Sequence, residues 1–226
     1  MVITGADDDS IDTDLGFKGL MQYVLVVQRT DGGDRVIEAD TAGGETKNPR
    51  SNPRIANFTF IHRNPATGNG AAMRFRGGAD VTMLNGVLVS PMACLRLDGA
   101  NMLTTDAAID KVGPPVFRSV AMQCGPTPFA GSSGLTAAQV DAAFNVTGNN
   151  NTSTFTNSLT NVFVNGANET GRTAMDPKTV NAGFDTTTYI GAVKDANDTW
   201  YAGWTCNSAT ANFGSTSKSC TTLPSL

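Results

Sequence analysis

The stretches IANFTFIH (55–62) and MLNGVLVS (83–90) are built alike: an apolar residue, one spacer, an asparagine, then a short apolar run closed by a polar residue. The pattern has further copies. Tyr23-Val24-Leu25-Val26-Val27-Gln28 lies upstream, and Leu159 stands two positions before Asn161-Val162-Phe163-Val164-Asn165 downstream. A second strand type alternates with the first: Ile11-Asp12-Thr13-Asp14, Ile37-Glu38-Ala39-Asp40, Met73-Arg74-Phe75-Arg76 and Leu95-Arg96-Leu97-Asp98. Here apolar and charged residues alternate with period two, the signature of a strand with one buried face.

The two types follow each other in turn, separated by Gly, Asn, Asp and Pro. From Ile37 to Met73 the circuit takes 36 residues, and from Met73 to Leu95 it takes 22. Strands this short form no stable sheet alone, so a chain that keeps returning to the same two positions predicts an all-β, right-handed parallel β-helix whose coils stack at about 4.8 Å. An antiparallel sandwich accounts for the alternation but not for the recurring asparagine register. Stacking puts Asn57 and Asn85 in one column, as in an internal amide ladder.

Composition agrees. The 226 residues are 40% hydrophobic and 16% charged, enough for one substantial core, and the 24 glycines with abundant Asn and Thr suit turns and strands better than helices. A net charge of -4, without a basic patch interleaved with aromatics, argues against nucleic acid. There is no apolar run of membrane-spanning length, and the first 20 residues lack a signal-peptide pattern, so export requires a signal upstream.

Four cysteines, none in a CxxC pair, and one histidine do not make a zinc set. Two disulfides are the better reading: Cys206 with Cys220 across a polar loop, leaving Cys94 with Cys124. They point to an oxidising compartment, outside the cell or in the periplasm.

The organisation expected is coils over 1–103, a loop and helix insertion over 104–152, and a final coil with a C-terminal capping segment over 153–226, all one continuous domain. In the insertion, GPPVFRSVAMQCGPTPFAGSSG (113–134) reads as loop. LTAAQVDAAFNV (135–146) reads as a helix lying across the solenoid, with Thr136 as N-cap. The segment YIGAVKDANDTWYAGWTC (189–206), with both tryptophans, closes an open end of the stack.

Several stretches together, TGADDDSIDTDLGFKGLMQYVLVVQ, IEAD, NPRSNPRIANFTFI, RFRGG and YIGAVKDANDTWYAGWT, resemble a family of bacterial exported proteins, right-handed parallel β-helix lipoproteins of the cell surface. The likeness covers much of 2–99 and again 189–205. It implies a longer protein with a lipobox and earlier coils, of which this chain resembles the C-terminal half. It implies fold and compartment, and brings no activity. The chain departs from the family where tryptophans follow the aspartate run, having Thr13 and Phe17 instead.

GADDDSIDTDLG (5–16) supplies the candidate site. An EF-hand template with position 1 at Ser10 fails, because position 6 is Leu15 instead of Gly and position 12 is Met21 instead of Glu. Coil register serves better: Asp12 and Glu38 share one column, Asp14 and Asp40 the next, with Arg74 and Arg76 one coil further on. If the arginines pair with Glu38 and Asp40, then Asp12 and Asp14 are left for Asp7, Asp8, Asp9 and a calcium-like ion. The competing reading is a hydrated acidic face above an Asp-rich turn. Trp200, Tyr201 and Trp204 are candidate sugar-stacking residues, although aromatics closing a solenoid end more often serve the core.

No residue is assigned a catalytic role. His62, the single imidazole, ends a strand and has no nucleophile elbow beside it. The function expected is that of a non-enzymatic surface or secreted protein with a structural, adhesive or ligand-binding role, its partner an extracellular polysaccharide or envelope protein. Two alternatives stand. One is a polysaccharide-processing enzyme using the Asp12, Asp14, Glu38 and Asp40 face. The other is an envelope or extracellular assembly subunit that self-associates end to end.

Overall fold

Strands alternate between two five-stranded parallel sheets in the computed structural model, which describes residues 1–65 and 70–222. The first sheet stacks β1 (Val2–Thr4), β3 (Leu20–Val27), β5 (Arg54–Ile61), β7 (Thr82–Val89) and β9 (Val116–Gln123). The second stacks β2 (Asp12–Thr13), β4 (Ile37–Ala39), β6 (Ala71–Arg76), β8 (Ala93–Asp98) and β10 (Phe129–Ser132). Each odd strand runs on into the next even one, making five coils of an all-β solenoid. The expected columns are in place, with Asp12 beside Glu38, Glu38 beside Arg74 and Arg74 beside Arg96.

Between the sheets lies the core. Ile11, Ile37, Met73 and Leu95 face inward from the second sheet, and Val24, Phe58 and Val120 from the first. Glycine is required at Gly86, where the Phe58 ring of the coil below would lie 1.9 Å from an added Cβ.

The strands of the first sheet bend at one shared position. Tyr23, Asn57, Asn85 and Ser119 occupy it, all with φ between 51° and 57°. Asparagine tolerates this left-handed backbone better than most residues. The asparagines do form a column, but not an internal ladder. Their side chains point outward: Asn57 Nδ2 donates to the Tyr189 carbonyl (2.8 Å), Asn85 Nδ2 to that of Met175 (2.8 Å), and the Thr187 hydroxyl donates to Asn57 Oδ1 (2.8 Å).

Those partners belong to a strap, roughly residues 157–213, that lies over the outer face of the first sheet. Phe184 packs on Ala56 and Leu84, Ile190 on Val87 and Ala121, and Phe163, Val193, Tyr201 and Phe213 on Leu25, Val27 and Ile61. The strap therefore crosses the coils laterally and does not close an end, which corrects the expected C-terminal cap; positions 223–226 of that segment lie outside the described residues. The expected strand 161–165 is also corrected. It forms a tight reversal, with Thr160 and Val164 bridged antiparallel and positive φ at Asn161 and Val162. Only 149–155 adds to the stack, along the edge of β9, where Thr152 N donates to the Val120 carbonyl (2.9 Å).

The segment 113–134 is a fifth coil, not loop, because β9 and β10 pair in register with β7 and β8. Its prolines all fall outside the two strands. The helix is found as α1 (Ala137–Phe144), started by Thr136 in a capping box with Gln139. It covers the last coil: buried Phe144 meets Phe117 and Phe129 at ring-centroid distances of 5.2 and 5.5 Å.

Both disulfides are formed, Cys94–Cys124 and Cys206–Cys220. The first ties the turn after β9 to the start of β8.

Candidate functional site

The strap hides the outer face of the first sheet, whereas the outer face of the second carries the charged columns. Period-two alternation puts Ile37, Met73 and Leu95 inside, and the side chains between them outside. On this face Arg76 Nε lies 2.7 Å from Asp40 Oδ2 and 3.0 Å from Glu38 Oε1, while Arg74 Nη1 lies 3.6 Å from Glu38. Arg74 Nε and Arg96 Nε grip opposite oxygens of Asp98 at 2.7 and 2.6 Å.

Burial sets the electrostatics here. It pushes the Glu38 carboxyl above its ordinary range, against the pull of Arg76 and Arg74. Burial would raise Asp98 too, but hydrogen bonds from Ser132, Arg96 and Arg74 outweigh it and hold that carboxyl low.

Below this network the turns of the first two coils enclose a polar cavity of about 280 Å³, lined by Asp8, Asp9, Asp12, Asp14, Asp34 and Arg35, with Glu38, Asp40, Arg74 and Arg76 on one wall. Asp8, Asp9 and Asp34 each place an oxygen within 4.8 Å of the others. Arg35 is 2% exposed. It pairs with Asp34 through Nη1, which is 4.0 Å from Asp9, while its Nε and Nη2 have no hydrogen-bond partner among the described residues. Its backbone N–H donates to Asp9 Oδ1 (2.7 Å). Desolvation raises the Asp9 carboxyl, and raises that of Asp12, to which the charges of Asp14, Asp8 and Asp40 add.

The seven expected ion ligands thus fall into groups. Asp7 turns away to Arg29, which also holds Asp31 at 2.7 Å. Glu38 and Asp40 are engaged by arginine; Asp12 and Asp14 line the cavity beside Asp8 and Asp9. Asp34 lies in a turn, which the strand columns do not reach. It sits one coil above Asp8, its N–H donating to the Asp8 carbonyl (3.2 Å), so carrying the column rule into the turns would have found it.

The remaining candidates lie elsewhere. His62 follows β5 and is buried, with Nδ1 2.9 Å from the Ser90 hydroxyl and Nε2 3.2 Å from the Asp34 carbonyl. Burial, then the charge of Arg35, pushes its pKa down to about 4. Tyr201 is buried in the strap, edge-on to Phe163 at 5.0 Å. Trp200 donates from Nε1 to the Ala192 carbonyl (2.9 Å), and Trp204, 60% exposed, stacks on it at 6.1 Å. The aromatic trio therefore serves the strap and offers one open ring, with no part in the charged cavity.

Comparison with known proteins assigns the fold's relatives. The model of the pectate-lyase-like beta helix domain matches residues 1–205, coils and most of the strap alike, and the chain belongs to that family. No curated protein and no solved structure matches it. No helix among the described residues is long and apolar enough to cross a membrane.

Proposed function

We propose that this β-helix is an exported surface or secreted module that binds an extracellular polysaccharide on the outer face of its second sheet without cleaving it. In this reading a calcium-like cation is held by Asp8, Asp9 and Asp34, with Asp12 and Asp14 beside it. The observation that carries the reading is the cavity itself: three carboxylates meet within 4.8 Å beside a buried guanidinium that keeps two unpaired nitrogens. Net negative charge at close quarters favours a hard cation with oxygen ligands. Two disulfides support export. The crossover rule for parallel strands supports right-handed coils.

Absence of cleavage is favoured by the occupancy of the basic groups. Arg74 and Arg76 are tied to carboxylates, and both nitrogens of His62 are hydrogen-bonded in the interior. One observation favours the alternative, a polysaccharide hydrolase: the Asp12 carboxyl is raised and borders the cavity, as a general acid requires.

Calcium titration and glycan assays separate these readings. Calcium at a hundredfold excess over Kd should stabilise by about 2.7 kcal/mol, or roughly 5–10 °C in Tm for a chain of this size. The double variant Asp9→Asn, Asp34→Asn should lose that shift. Retention of an acidic glycan on the wild type, with no new reducing ends or unsaturated products, supports binding. Product formation abolished by Asp12→Asn would establish the enzyme instead, and an unchanged Tm with calcium would remove the cation.

A further inference from the structure

At the far end of the stack from the charged cavity is an apolar one of about 580 Å³, between the last coil and α1. Leu103, Val112, Pro114, Pro115, Phe117 and Val146 wall it. The volume lies within the range of small-molecule sites, which are mostly apolar with a few placed polar groups. Its walls are built in advance. The Pro114 and Pro115 rings fix the backbone on one side, and α1 is pinned on the other by Phe144 against Phe117 and Phe129.

The polar side chains of the lining are Arg118, Gln139 and Asn149, with no carboxylate among them. The Arg118 side chain is exposed and makes no ion pair or hydrogen bond among the described residues, although it borders a mostly apolar space. Gln139 spends its carbonyl oxygen on the capping box, accepting from Thr136 N (2.9 Å) and Thr136 Oγ1 (3.0 Å), so its amide N–H groups are what remains for a ligand. A cation and an amide donor with no acidic neighbour in the lining call for an acceptor, and a guanidinium pairs best with a planar anion.

We propose that this cavity is a binding site for a small amphipathic acid, one aliphatic or aromatic body with a single carboxylate. The body fills the space between the proline wall and α1, and the carboxylate pairs with Arg118. This site is independent of the polysaccharide reading, since it shares no residue with the charged cavity.

The test uses the full chain, decanoate as the probe, decanol as its uncharged counterpart, and displacement of the fluorescent dye anilinonaphthalene sulfonate as the readout. Decanoate should displace the dye at one saturable site and bind more tightly than decanol. Arg118→Gln should weaken decanoate about tenfold or more and leave decanol unchanged. Ala142→Trp, at an exposed position of α1 that faces the cavity, should fill it and abolish binding with Tm preserved. The proposal is overturned if decanoate shows no saturable binding, or if it binds equally well to both variants. It is overturned too if the chain proves to be a dimer whose partner copy covers the cavity and excludes the dye.

Discussion

His62 illustrates how one buried side chain ties the coils together and sets a pH limit. Its ring bridges the Ser90 hydroxyl of the coil above and the Asp34 carbonyl of the turn below, and its folded pKa is depressed from 6.5 to about 4. A depressed base is stabilising where it is neutral in both states. The contribution is therefore complete above the unfolded value of 6.5 and is lost as pH falls towards and through 4, amounting to about 3 kcal/mol at most. Asp9, Asp12 and Glu38 act with the opposite sign, because a raised carboxyl gains stability as it takes up its proton. Guanidinium unfolding at pH 7 and pH 4.5 separates the two: the wild type should lose stability on acidification, and His62→Gln should lose markedly less. Equal losses would mean that His62 does not set the acid limit. In the sequence His62 was legible only as the end of a strand, since nothing local marks a contact made across 28 residues.

The charged strands show their register in the sequence because one face is apolar and the other wet, and that difference prints as period two. The first-sheet strands lack such a print. In Tyr23-Val24-Leu25-Val26-Val27, Val24 and Val26 face the core while Leu25 and Val27 face the strap, so the run is apolar throughout, as in a sheet covered on both sides. The run was the signal that something covers it. What covers it could not be read, because the strap is mostly irregular backbone held by side-chain bonds to residues far along the chain, as Asn57 to Tyr189 and Thr59 to Ala192. Fixed spacing has no purchase on such contacts. Phe163 is the strap's main anchor, fully buried against Tyr201 and Phe213. Phe163→Ala should cost about 3–5 kcal/mol. In hydrogen exchange the added opening should be confined to the strap, with Leu25 and Val26 amides still protected by the ladder. Loss of protection spread evenly over β3 and β5 would show that the strap is part of the coils' own stability.

A stack of coils that touch only their neighbours can fray from its ends, its stability being a sum of local terms. This molecule has three devices against that. The strap reaches from the outer side of β3 to that of β9, α1 covers the last coil, and Cys94–Cys124 fastens the fifth coil to the fourth across 30 residues of chain. Together they should make unfolding all-or-none. Both tryptophans lie in the strap while far-UV circular dichroism reports the ladders, so the two signals should trace one transition in guanidinium. The double variant Cys94→Ala, Cys124→Ala loses a loop constraint worth about 4 kcal/mol in the chain-entropy model. Its curves should shift to lower denaturant and still coincide, because strap and helix continue to couple the coils. If the fluorescence and dichroism curves of the wild type separate, the coils unravel as repeats and the strap is a passenger on them. If they separate only in the variant, the disulfide alone joins the fifth coil to the rest.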